Sequence, residues 1–91
     1  MELVASAATV RHVQERGGAV YVWARKARCC SGAVTLEAAT EPRRGTEFRR
    51  ALAGDVDIYL TAGMPDPASL HLELGRSGRL RAFWNGLAWI A

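Results

Sequence analysis

The two cysteines of this 91-residue chain are neighbours, Cys29 and Cys30. A cysteine acts as a nucleophile or a metal ligand in its thiolate form, and nearby cations favour that form by lowering the thiol pKa. Three cations stand just upstream of the pair: Arg25, Lys26 and Arg28. Gly32 follows shortly afterwards and allows the backbone to adopt a turn with positive φ. We therefore expect residues 25–32 to hold the functional loop, with the cations stabilising the thiolate charge.

Three interpretations of this pair are open. In the first, Cys30 is a redox thiol or nucleophile, and Cys29 resolves the resulting mixed disulfide or sulfenic acid. In the second, the thiolates bind a soft metal ion or an iron–sulfur cluster, which normally takes four ligands. Two chains of a homodimer would then supply two cysteines each, or His12 or His71 would complete a mixed site. In the third, the cysteines are small buried hydrophobes and the protein is a non-catalytic module that binds a partner protein.

The adjacency of the cysteines also bears on a disulfide between them. Neighbouring Cα atoms are about 3.8 Å apart across a trans peptide bond, whereas an unstrained disulfide needs about 4.4–6.8 Å. A bond between Cys29 and Cys30 would therefore be strained and easily reduced. The interpretation as buried hydrophobes explains the adjacency poorly, because neighbouring residues of a strand face opposite sides of a sheet.

The composition indicates one globular domain spanning residues 1–91, with 49% hydrophobic and 23% charged residues. There is no apolar run of about 18 residues, and the first residues lack the pattern of a signal peptide. We therefore expect a cytoplasmic protein with no membrane segment.

The formal charge of +3 is too small to predict nucleic acid as a partner. Nucleic-acid binding through the arginines clustered within residues 25–50 is thus a third and weaker functional hypothesis.

The apolar pattern predicts a single helix over residues 3–16, near the N-terminus. Ser6 is the expected N-cap, and the glycines at positions 17 and 18 are expected to end the helix. Apolar residues recur at helical spacing and predict a buried stripe formed by Leu3, Ala7, Val10 and Val13.

Short strands are predicted after the helix, separated by turn residues. The segments 19–25 and 33–38 should form a hairpin around the cysteine loop, with 19–25 in the centre of a sheet. Alternating patterns predict further strands at 56–61 and 70–74, and the pair 80–84 and 87–90 flanks a turn at Asn85 and Gly86. Residues 47–53 fit either a helical turn or an edge strand. The expected fold is mainly β with one N-terminal helix (α+β), a compact sandwich or barrel of six to seven short strands.

At the cysteine loop the chain resembles the HesB/IscA family, the A-type iron–sulfur carriers. That family places a Gly-Cys-Ser-Gly-like loop between two strands that follow an early helix. Cys30, Ser31 and Gly32 match the loop, and Cys29 stands where the family usually has glycine. Residues 56–60 resemble the family's VxVxV strand, and residues 70–87 resemble its closing strand and Gly-Leu turn. The resemblance follows the order of elements over about the whole chain. It implies a HesB-like fold, a cluster held by Cys30, and a redox or iron–sulfur partner protein.

The chain departs from the carriers because their Cys-x-Cys motif has no counterpart in these residues. The doubled cysteine instead resembles a small HesB-like group, the CC/Se motif family, whose members carry Cys-Cys or cysteine–selenocysteine at this loop. Selenocysteine in relatives implies redox or soft-metal chemistry, since a selenol is a stronger nucleophile than a thiol. On this basis Cys30 is the expected principal nucleophile or ligand, and Cys29 is the expected resolving thiol or second ligand.

Overall fold

The computed structural model of the protein describes residues 2–26, 34–64 and 67–84, and for Arg25, Lys26, Val34, Thr35 and Trp84 it describes the backbone alone. This part of the chain forms one helix and seven strands. Their order is β1 (Glu2–Ala5), α1 (Ala7–Glu15), β2 (Ala19–Lys26), β3 (Val34–Ala39), β4 (Phe48–Leu52), β5 (Asp57–Thr61), β6 (Ser69–Leu74) and β7 (Leu80–Trp84). The strands make a single curled sheet, a half-barrel. The predicted mainly-β fold with one helix near the N-terminus is confirmed.

Helix α1 has the predicted N-cap at Ser6 and the predicted glycines after its last turn. The Ser6 side chain accepts a hydrogen bond of 3.2 Å from the backbone N–H of Thr9, which satisfies one of the free donors of the first turn. At the other end, the N–H of Gly17 donates to the Gln14 carbonyl and that of Gly18 to the Val13 carbonyl. These two bonds form a Schellman motif, for which both glycines adopt positive φ.

The predicted start of the helix at residue 3 is wrong, because Leu3 belongs to β1. This strand pairs in parallel with β6, where Leu3 lies opposite Leu70. The predicted buried stripe is also partly wrong: Val13 is fully buried and Val10 is half-buried, but Ala7 is exposed. Pairing with a strand 67 residues away is a tertiary interaction that overrides the local helical spacing.

The strand order in the sheet is β1-β6-β7-β3-β2-β5-β4. Strands β2 and β3 form an antiparallel hairpin, β2 also pairs in parallel with β5, and β6 and β7 form a second antiparallel hairpin. The prediction of a central position for the strand after the helix is confirmed, because β2 has a neighbour on each side. The ambiguous segment 47–53 contains β4, which is a strand at the edge of the sheet.

One face of the sheet carries the core. Alternate residues of β2, β5 and β6 point to this face, where Val13 of α1 packs against them. The buried apolar side chains that form this core cluster are Val13, Val20, Val22, Val56, Ile58, Leu60, Met64, Leu70, Leu72 and Ala82. The helix thus covers the face of the sheet that carries the core, and apolar burial holds it there.

The opposite face carries a cluster of aromatic rings. Tyr21 stacks on Tyr59 with 4.9 Å between ring centroids, and it meets the edge of Phe48 at 5.2 Å. Trp23 lies next to Phe48 in an edge-on arrangement at 6.4 Å. Aromatic pairs in these geometries are worth about 0.5–1.5 kcal/mol beyond the area they bury. The cluster therefore fixes β2, β4 and β5 relative to one another on the side that the helix does not cover.

Candidate functional site

The cysteines lie in the connection between two interior strands of the sheet. Strands β2 and β3 pair in register from Tyr21 opposite Ala39 to Lys26 opposite Val34. Each strand has a second neighbour, β5 for β2 and β7 for β3. Residues 27–33 join Lys26 to Val34, so the predicted hairpin around the cysteine loop is confirmed in its two strands. At the loop end β2 and β3 pair with each other, whereas the pairing of β2 with β5 ends at Val22 and that of β3 with β7 lies at Glu37.

Two of the five predicted site residues lie at the loop end of β2. Arg25 lies opposite Thr35 and Lys26 opposite Val34 in the backbone of the hairpin. The other three predicted residues, Arg28, Cys29 and Cys30, lie outside the described residues. The predicted turn at Asn85 and Gly86 and the strand after it also lie outside them. The roles assigned to the cysteines and the cations therefore remain predictions.

A hydrogen bond between two side chains joins β2 and β3 near the cysteine loop. Trp23 lies opposite Glu37, and its indole N–H donates to the Glu37 carboxylate over 2.8 Å. Both residues are half-buried, and a bond to an ionised acceptor is stronger than one between neutral groups. This bond lies three positions from Lys26 and Val34 and links the two strands that carry the cysteine loop.

The two histidines considered as additional metal ligands are not brought together. His12 lies in the last turns of α1 and is half-buried. His71 alternates with the buried Leu70 and Leu72 on β6, so it lies on the face of the sheet opposite the helix. Within residues 2–26, 34–64 and 67–84, no group of three or more His, Cys, Asp or Glu residues is placed to hold a metal ion.

A cavity of about 690 Å³ opens where the end of α1, the second half of β3 and the β6–β7 turn meet. Its charged walls include the side chains of Arg16, Arg79 and Arg81, with His12 beside them and Glu37 across from them on β3. This site was not predicted from the sequence. The alternation of Arg79 and Arg81 around Leu80 was an available signal, but nothing local indicates that Arg16 joins them.

Comparisons with family models, with curated proteins and with solved structures gave no match for this chain. The resemblance to HesB-like proteins therefore remains a prediction from the residues of the loop. In the part of the chain that the structure describes, no helix has the length and apolar character needed to cross a membrane.

Two separate features could thus support chemistry. The first is the β2–β3 hairpin, whose connection contains both thiols of the sequence. Its chemistry would be nucleophilic or ligating, because thiolates are soft ligands and strong nucleophiles. The second is the cationic cavity, whose guanidinium groups suit recognition of anions and offer neither a nucleophile nor a base at neutral pH. The hairpin is the feature that suits a reaction.

Proposed function

We propose that the protein acts through Cys29 and Cys30 as a dithiol that exchanges with disulfides or holds a soft metal or iron–sulfur cluster. The observation that carries the proposal is the β2–β3 hairpin, which ends with Lys26 opposite Val34 and leaves a short connection containing both cysteines. Functional residues commonly sit on loops that a rigid scaffold positions. Here the scaffold is a pair of interior strands, stiffened by the bond between Trp23 and Glu37.

The redox form of the proposal is a two-step exchange. The Cys30 thiolate attacks one sulfur of a substrate disulfide, forming a mixed disulfide and releasing the other sulfur as a thiolate. Cys29, after losing its proton to solvent, attacks the Cys30 sulfur and releases the second substrate thiolate. The substrate disulfide gains two electrons, and Cys29 and Cys30 are oxidised to a disulfide. The strain of a bond between neighbouring residues makes the oxidised protein easy to reduce again.

The cations upstream of the cysteines support this chemistry by their charge. Arg25 and Lys26 are the last residues of β2 before the loop, and Arg28 immediately precedes Cys29. Positive charge near a thiol lowers its pKa and increases the thiolate fraction at neutral pH. No acid lies between residues 16 and 36, so the flanking sequence does not offset this charge.

The metal form of the proposal uses the same thiols in a homodimer. Two cysteines from each of two chains give the four thiolates that an iron–sulfur cluster or a zinc ion normally takes. A two-fold axis close to the loops would bring the four ligands together. The cluster or metal would then be shared between subunits, and its binding would depend on dimer formation.

Thiol alkylation measured against pH tests the redox form. We expect an apparent thiol pKa at least about one unit below the ordinary value of 8.5, and we expect Cys30→Ser to remove the fast-reacting thiol. The triple variant Arg25→Gln, Lys26→Gln, Arg28→Gln should raise the pKa. Its control is Arg43→Gln, Arg44→Gln, which removes two charges from the exposed loop before β4. An ordinary pKa in the wild type would contradict the activated thiol.

Anaerobic reconstitution with iron and sulfide tests the metal form. We expect thiolate-to-iron charge-transfer absorption that appears together with a dimer in light scattering, and that is absent in Cys30→Ser. A colourless, monomeric product would contradict cluster binding. If both this experiment and the alkylation profile give negative results, the dithiol function as a whole is wrong.

A further inference from the structure

The cavity beside α1 is lined by more positive than negative charge. Arg16 follows the last turn of the helix, Arg79 lies in the turn before β7, and Arg81 lies on β7 directly opposite Glu37 of β3. With His12 neutral, the charged side chains among the described residues that line the cavity sum to +2. A cavity with this balance attracts ligands that carry two or more negative charges.

The three guanidinium groups have no partner within the described part of the chain. Arg16, Arg79 and Arg81 are exposed, and their side chains make no hydrogen bond or ion pair with another described residue. Glu37, the acid of the cavity wall, instead accepts the hydrogen bond from Trp23. The guanidinium groups are therefore available to a ligand, and each presents a planar set of donors that matches a phosphate or a carboxylate.

The volume of the cavity and its apolar walls indicate the size of the ligand and the character of its body. About 690 Å³ lies within the range of pockets that bind small molecules. Trp23, Leu36 and Leu80 contribute apolar surface next to the arginines. A bare inorganic anion would leave this surface in contact with water, whereas an organic anion would cover it. The charges and the apolar walls together suit a small molecule with an apolar body and a dianionic group.

We propose that this cavity binds a small organic anion that carries a phosphate ester or a pair of carboxylates, held by Arg79 and Arg81. The apolar body of the ligand packs against Trp23, which lies on the same face of the sheet as Arg81. The described walls of the cavity come from α1, from Trp23 on β2, from residues 36–40 of β3 and the loop after it, and from residues 77–81. We expect that binding does not require Cys29 or Cys30.

Isothermal titration calorimetry at low ionic strength tests the proposal with three probes. Phenyl phosphate represents the phosphate source, phthalate represents the paired carboxylates, and inorganic phosphate lacks the apolar body. We expect saturable binding at one site for phenyl phosphate or phthalate, and weaker binding for inorganic phosphate. The probe that binds more tightly identifies the anionic group. The absence of saturable binding for both organic probes would overturn the proposal.

Variants with equal changes in charge locate the site. Arg79→Gln, Arg81→Gln should weaken binding of the better probe at least about tenfold, since two charge-assisted contacts are lost. Arg43→Gln, Arg44→Gln removes the same charge from an exposed loop away from the cavity and should change affinity less than about twofold. Equal losses of affinity in the two variants would overturn the placement of the ligand in this cavity, because they would indicate a general charge effect.

The Cys29→Ser, Cys30→Ser variant should bind the better probe as tightly as the wild type does, and a loss of affinity there would also overturn the placement. Circular dichroism confirms that each variant is folded.

Discussion

Trp23 and Glu37 face each other across the β2–β3 hairpin, and the indole Nε1 of Trp23 donates a 2.8 Å hydrogen bond to the Glu37 Oε2 atom. The pair lies on the aromatic face of the sheet, where Trp23 also meets the edge of Phe48. It joins two interior strands just before the connection that holds the cysteines. The bond therefore couples the aromatic cluster to the hairpin proposed to present the dithiol.

Removing the donor of this bond should destabilise the protein measurably. Trp23→Phe keeps an aromatic ring on β2 but deletes the indole N–H. A hydrogen bond to a charged group contributes about 1.5–3 kcal/mol when buried, and we expect about 1 kcal/mol here because both residues are half-buried. Urea unfolding followed by far-UV circular dichroism measures the loss as a lower midpoint.

A double-mutant cycle separates the hydrogen bond from the change in ring size. Its corners are the wild type, Trp23→Phe, Glu37→Leu and the double variant. We expect a coupling free energy of about 1 kcal/mol, because either single substitution already breaks the bond between Trp23 and Glu37. A coupling energy near zero would show that the loss in Trp23→Phe arises from packing against Phe48 and not from the hydrogen bond.

Two valines near the N-terminus differ in burial, and replacing each by alanine should lower the stability of the protein by different amounts. Val13 is fully buried between α1 and the sheet, whereas Val4 on the edge strand β1 is 40% exposed. Val13→Ala removes two buried methyl groups and leaves a cavity, which should cost about 2 kcal/mol. Val4→Ala is the matched control and should cost less than about 1 kcal/mol. Thermal unfolding compares the two variants, and a larger loss for Val4→Ala would contradict the packing of the helix.

Features set by neighbouring residues were predictable from the sequence. The cap at Ser6 and the stop at Gly17 and Gly18 depend on residues within one turn of the helix. The β2–β3 hairpin was predictable for a similar reason, because the turn residues Ser31 and Gly32 separate two strongly β-forming segments.

Features set by distant residues were not predictable. Strand β1 has four residues, and the apolar spacing from Leu3 to Val10 fits a continuous helix. The pairing of β1 with β6 makes the first residues a strand instead. The cationic cavity needs α1, β3 and the β6–β7 turn to meet, and no local pattern relates Arg16 to Arg81. The choice between a helical turn and an edge strand at residues 47–53 likewise depended on pairing with β5. A pattern in one sequence indicates which segments favour a helix or a strand, but it does not indicate which strands pair. The parallel strand pairs and the cavity therefore appear only in the folded chain.

The two glycines at positions 78 and 54 should respond in opposite ways to alanine. Gly78 closes the β6–β7 hairpin with φ of +79° and donates its N–H to the Gly75 carbonyl over 3.1 Å. A side chain in this left-handed conformation costs about 1–2 kcal/mol, so Gly78→Ala should lower the midpoint of urea unfolding. Gly54, in the turn before β5, has no positive φ, and a Cβ there would meet no atom within 4 Å. Gly54→Ala should therefore leave stability unchanged or raise it by up to about 1 kcal/mol, because alanine restricts the unfolded chain. Equal losses in the two variants would contradict the left-handed turn at Gly78.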